Sequence, residues 1–334
     1  MAYLNEQLNP QPKKNNIAIN ILILLILLFS LFFILIHFNI LTCGAVTPAI
    51  CDLYYGIISN GKPKILIVSG EEGIGDPDLL YETLKSPKFR ADVTLKNIEL
   101  ATLPMLQQHQ LVIVEKAREM SISELKMFEE YVNQGGKLVW IGDAGTTAPE
   151  FESDKNYFLK YSERKKGGSE SFISPWARKS GSKQVSFDYV LGVEYIGNYC
   201  EIKECKDNYT GFLSILNQND RLTLGISQNL KIYGDFSLVK INTDSYQKTL
   251  AILDYGSNII AEPPKEYFWL EQKKHQFGKE FPAIVSTGLG GRVAYYSFPP
   301  EYFISEKMPI DPATGKRIQY WGILENMYYG MLYK

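Results

Sequence analysis

The chain has 334 residues, 45% of them apolar and 22% charged, which is the make-up of an ordinary globular protein with room for one large domain. Lys and Arg (35) nearly balance Asp and Glu (37), and a net charge of −2 gives no reason to expect nucleic acid or an acidic polymer as partner. Four cysteines with no histidines beside them do not form a zinc signature.

Residues 1–16 read as a polar, cytoplasmic tail, and Ile17–Leu41 as nearly continuous hydrocarbon. At ~1.5 Å per residue, roughly 25 residues make a helix of about 37 Å, enough to cross a ~30 Å core. Lys13 and Lys14 precede the stretch, and no Lys or Arg follows until Lys62. The positive-inside rule then predicts a single-pass cell-membrane protein, touching lipid through Ile17–Leu41, with a cytoplasmic N-terminus and an extracytoplasmic soluble part. Disulfides persist in that setting. Cys200 and Cys205 enclose a four-residue loop and are expected to pair, and Cys43 and Cys51 are a second candidate pair in the linker 42–61. Asn208-Tyr209-Thr210 is a glycosylation sequon in the same region.

The soluble domain, 62–334, opens with the apolar run Lys64–Val68 and the turn S-G-E-E-G-I-G-D-P-D. Asp76 or Asp78 suits the N-cap of a helix over Leu79–Lys85, with Pro77 in its first turn. Ala91–Ile98 alternates like a half-buried strand, and Leu111–Val114 reads as a fully buried one. The run S-I-S-E-L-K-M-F-E-E-Y-V-N-Q-G-G predicts a helix capped by Ser121 or Ser123. It places Ile122, Leu125, Phe128, Tyr131 and Val132 on one face and ends at Gly135. The strand Lys137–Gly142 follows. Short apolar strands alternating with helices predict an α/β fold with a doubly wound, mostly parallel sheet. A β-rich elaboration is expected over about 151–255. Phe281–Thr287 and Gly291–Phe298, joined by G-L-G-G, read as a hairpin, and Lys316–Tyr333 as a closing helix.

This order resembles the class I glutamine amidotransferase-like superfamily, whose fold is flavodoxin-like. The resemblance rests on the helix–strand unit at 121–139, the turn at 141–145 and the run G-L-G-G-R-V-A-Y-Y-S-F-P-P-E at 288–301. The first and third look like its non-catalytic and secreted branches: the module of gliding-motility, intraflagellar-transport and oligosaccharyltransferase subunits, trehalose-utilisation-type proteins, and the trimerisation domain of some β-galactosidases. Active members are implied to carry a cysteine in a G-x-C-x-G elbow and a histidine in a closing F-H-P-E. Here Asp143 stands in the nucleophile slot and Pro299 in the histidine slot, and only Glu301 matches. Proline has no nitrogen to accept a proton, so the resemblance implies that the amidotransferase reaction is lost.

Two functional expectations follow. The first is a catalytically inactive, membrane-anchored binding or complex-forming subunit with a protein partner in the membrane or envelope. Its candidate ligand-binding residues are Gly70, Glu71, Glu72, Asp76, Gly142 and Asp143. The second is a carboxylate- or metal-dependent hydrolase of envelope sugars or peptides that uses Asp143 and Glu301. No cofactor is indicated apart from a divalent cation that the acidic loop could attract. The bland reading keeps Asp143 as a turn cap and the remaining acids as solvated loop residues.

Overall fold

The computed structural model describes residues 17–37, 61–149, 174–180, 182–203, 211–226, 229–261, 275–288 and 290–332. Cys43, Cys51, Cys205, the sequon at Asn208, the tail 1–16 and most of the linker 42–61 lie outside the described residues. The same holds for most of 151–181.

Helix α1 is described over Ile17–His37. Among the described residues no helix is long and apolar enough to cross a membrane. The expected transmembrane helix is corrected accordingly. The lipid contact through Ile17–Leu41, the single-pass location and the division into cytoplasmic and extracytoplasmic parts all rested on it, and they fall with it.

Strands β1 (Lys64–Ser69), β3 (Leu111–Val114) and β4 (Leu138–Ile141) are buried on both faces, which is why their sequences are unbroken apolar runs rather than alternations. Ile65, Ile67, Ile113, Val139 and Ile141 face one core. They meet Leu80 and Leu84 of α2 (Pro77–Lys85) and Leu324, Met327 and Tyr328 of α7 (Trp321–Leu332). The intervening Leu66, Val68, Val112, Val114, Leu138 and Trp140 face a second core. There they meet Leu106 of α3 (Leu103–Gln107) and Leu125, Phe128 and Tyr131 of α4 (Ile122–Asn133). Helix α4 starts in a capping box: the Ser121 hydroxyl accepts from Glu124 N, and the Glu124 carboxylate accepts from Ser121 N.

Strand β2 (Asp92–Asn97) flanks β1, and β13 (Val293–Tyr296) flanks β4; β2, β1, β3, β4 and β13 run parallel. Beyond β13 the sheet continues antiparallel through β12 (His275–Thr287), β11 (Gln247–Ala261), β8 (Gly211–Ile215) and β9 (Leu230–Ile232). The expected mostly parallel sheet is therefore corrected to a mixed one, with four parallel and four antiparallel pairings. The physical reason is local. Hairpins such as β12–β13, turned by Gly288, Gly290 and Gly291 at positive φ, return the chain without a helix, so their strands alternate in direction.

Two smaller pairs complete the fold: β5 (Ala177–Ser180) with β6 (Lys183–Ser186), and β7 (Val193–Asn198) with β10 (Ser237–Ile241). Between them lie α5 (Phe187–Leu191) and, after β7, α6 (Tyr199–Ile202). Val193, Tyr195 and Val239 join the second core, so the β7–β10 pair caps that face and delivers Asn198 to the carboxyl edge of the parallel strands.

Candidate functional site

Four segments converge on that edge: the loop Gly70–Asp76 after β1, residues 115–121 after β3, the turn 142–147 after β4, and the 3₁₀ segment Pro300–Ile304 after β13. The loop after β1 is stitched to the segment after β3 by Gly70 N to Lys116 O (2.9 Å), Lys116 N to Ile74 O (3.0 Å) and Arg118 N to Glu72 O (2.9 Å).

The turn after β4 is tight. Gly142 (φ +61°) and Gly145 (φ +69°) sit in the left-handed region, and a Cβ on Gly145 would stand 2.9 Å from Leu125 and 3.1 Å from Trp140. The indole N–H groups of Trp140 and Trp176 both donate to Ala144 O. The buried Arg178 guanidinium donates to Met120 O and Gly145 O, fixing the turn from below.

Asp143, the expected nucleophile-slot residue, is fully buried. Its Oδ1 accepts from Ile74 N at 2.8 Å and its Oδ2 from Asn198 Nδ2 at 2.8 Å. Asn198 Oδ1 in turn accepts from the hydroxyls of Tyr195 and Ser237. Arg118 approaches Asp143 Oδ2 at 3.7 Å and is itself gripped through both terminal nitrogens by Glu201. Burial pushes the Asp143 carboxyl up, while the Ile74 amide, Asn198 and Arg118 pull it back.

Glu301 is also fully buried, and its Oε1 accepts from Asp76 N at 2.9 Å. Asp143 and Glu301 thus clamp the same loop two residues apart, each spent on a backbone N–H. The expected hydrolase pair is corrected on this ground, since neither carboxyl presents an oxygen to solvent. Asp76 itself is exposed and caps α2 through Leu79 N.

The group facing Glu301 is one that the sequence reading passed over. Glu115, directly after β3, is fully buried, and among the described residues neither of its oxygens has a hydrogen-bond donor; nor does Glu301 Oε2. Burial, followed by the nearby Glu301 charge, pushes Glu115 well above the ordinary carboxylate range, and burial raises Glu301 to about 7. Asp235, half-buried and accepting from Cys200 N and Phe236 N, is raised to about 6 by its partial burial. A glutamate placed directly after an all-apolar strand was the one signal for Glu115; its depth was not visible.

Among the described residues no group of three or more His, Cys, Asp or Glu side chains is placed to hold a metal ion. Cys200 is disulfide-bonded, and its partner lies outside the described residues.

The described residues frame two open clefts at opposite edges of the sheet. One, of about 420 Å³, lies at the carboxyl edge over β1, β2 and β3. Its walls are Gly70–Glu72, Asn97–Glu99, Arg118–Glu119, Ser121, Ser123, Glu124 and Pro149. Gly70, Glu71 and Glu72 of the expected ligand set line it, while Gly142 and Asp143 lie buried outside it and Asp76 is not in its wall. The other, of about 500 Å³, lies at the amino edge between Gln107, His109, Tyr131, Gln134 and Lys137. There His109 Nδ1 is 2.8 Å from Met105 O, and Lys137 Nζ donates to Leu332 O.

No family model matches the chain, and no curated protein matches it. Among solved structures, a ThuA-like protein from Bacteroides uniformis aligns at 15% identity and TM-score 0.45, covering 80% of this chain and 91% of that one. A cytoplasmic protein from Salmonella typhimurium aligns at 11% identity and TM-score 0.43, covering 79% and 97%. A β-galactosidase from Rahnella sp. R3 aligns at 14% identity and TM-score 0.42, covering 75% of this chain and 31% of that one. Likenesses this distant assign no family. The amidotransferase-like membership implied by the motifs is corrected to a mixed α/β fold, and the anchored, inactive-amidotransferase role goes with it.

Proposed function

We propose that the chain is a binding domain whose ligand is a compact organic cation carrying primary ammonium groups, held in the carboxyl-edge cleft. The observation that carries this reading is the charge of the cleft wall. Among the described residues Glu71, Glu72, Glu99 and Glu119 line it with no ion pair, and the one cation of the described wall, Arg118, is already gripped by Glu201. Glu124 is committed to the cap of α4, and Lys183 reaches Ser123 at the rim.

The position supports it too. Strand β1 lies between β2 and β3, so the chain leaves β1 to one side and returns on the other. In open α/β sheets the crevice outside the carboxyl ends at such a reversal is where ligands bind. The amino-edge cleft is larger, but its described lining holds no carboxylate, and its ammonium group is closed on a backbone carbonyl.

The test is calorimetric titration with spermidine at low ionic strength. Two partly exposed ion pairs at up to ~1 kcal/mol each mean that Glu72→Gln with Glu119→Gln weakens binding by about tenfold. Unchanged affinity in the double variant sinks the reading.

A further inference from the structure

We propose that Glu115 and Glu301 share one proton, and that this proton latches the β1–α2 loop which forms one wall of the cleft. The starting point is a set of unsatisfied acceptors. An ionised carboxylate can only accept, and two ionised groups would leave both Glu115 oxygens and Glu301 Oε2 buried without a donor. One proton on Glu115 supplies the missing O–H, which Glu301 Oε2 accepts, and it removes the repulsion between two buried like charges.

The loop rests directly on this pair. Glu301 Oε1 holds Asp76 N, and Gly75 packs so closely that an added Cβ would meet Glu115 Oε2 at 2.8 Å. Gly75 (φ +138°) is thus the residue that lets the loop close over the pair.

The groups that face the pair from surrounding elements leave the shared proton in place. Asp76, from the loop, adds negative charge, and Lys116, from the end of β3, opposes it. Tyr302 and Lys307 approach from the segment after β13, and Asp235 from the one before β10. Removal of the proton by hydroxide yields water and two buried carboxylates. Their repulsion is relieved by lifting Gly75 and Asp76 and admitting solvent. The latch stands apart from the cleft reading; only its last consequence, weaker cation binding at alkaline pH, rests on that reading.

The experiment uses the full chain. Hydrogen exchange of the 70–79 peptide, corrected for intrinsic rates, is followed from neutral to alkaline pH, together with the infrared C=O band of a protonated carboxyl. Wild type is expected to lose protection by about tenfold, one factor of ~1.4 kcal/mol, as that band disappears. Glu115→Gln, whose amide donates to Glu301 without titrating, is expected to keep protection throughout. Protection that does not change with pH in wild type, or an alkaline transition that survives in Glu115→Gln, overturns the latch. Should Glu115→Gln not fold, wild type decides: a protonated band that does not titrate with loop protection overturns the proposal. Spermidine separates the two readings. No binding at any pH with a loop transition present removes the cleft and keeps the latch; equal binding at both ends of the range with no loop transition does the reverse.

Discussion

Asp143 Oδ1 accepts the backbone N–H of Ile74 at 2.8 Å, so the residue in the elbow after β4 serves as a clamp on the loop after β1. Its other oxygen is taken by Asn198, and no part of it reaches solvent. Truncating a buried acceptor leaves its donors unpaired. Asp143→Ala is therefore expected to destabilise the fold by about 2–4 kcal/mol, through the Ile74 amide and the Asn198 side chain. Asp143→Asn, which can still accept from Ile74, is expected to cost less. Urea midpoints for the two variants check this, and an Ala variant as stable as wild type would refute the clamp.

The raised carboxyl groups predict an unusual pH dependence of stability. Glu301 stands at about 7 in the folded chain against an ordinary 4.5, and Asp235 at about 6 against 3.8. Between the unfolded and folded values the native state binds more protons than the unfolded chain, so stability falls as pH rises. The contribution is complete below about 4 and is lost as pH rises through about 7, with Asp143, also raised by burial, acting in the same direction. Glu301→Gln keeps the acceptor for Asp76 N and is expected to flatten this slope by roughly 3 kcal/mol at most. Denaturant midpoints measured across the acid-to-neutral range provide the check; a wild-type midpoint that rises over this range contradicts the prediction.

Two glycines of similar φ should respond very differently to alanine. A Cβ added at Gly145 (φ +69°) would meet Leu125, Trp140 and Met120 at 2.9–3.3 Å, whereas one added at Gly256 (φ +69°) would meet nothing within 4 Å. Backbone strain alone is expected to cost about 1 kcal/mol at Gly256, and overpacking to raise the cost at Gly145 to about 3 kcal/mol or more. Thermal unfolding of the two variants measures the difference, and equal losses would show that the elbow is not tightly packed.

The parallel half of the fold was legible because β1, β3 and β4 are short, mainly apolar and separated by capped helices, as at Asp76 and Ser121. In the antiparallel half the β12–β13 hairpin was legible from its glycine turn, but the pairing of β11 with β12 was not, because its register shifts break the two-residue alternation of a regular strand. At the site, the sequence pointed to Asp143 and Glu301 but could not show that both are buried and bonded to one loop. Burial of a carboxyl depends on what packs over it, here Ile74, Gly75 and Asn198 from distant stretches. Glu115 was missed for the same reason, and so was Arg118, whose pairing with Glu201 spans 83 residues. The apolar stretch at Ile17–Leu41 led to an anchor, and to a topology built on it, that the described helix does not carry.

The most direct measurement of the account is spermidine titration of wild type beside two variants, Glu72→Gln with Glu119→Gln at the carboxyl edge and Gln134→Ala at the amino edge. The account predicts that the first loses about tenfold in affinity and the second none, with wild-type binding weakening as salt screens the acidic wall. Equal affinity in all three, or loss only in Gln134→Ala, would contradict it.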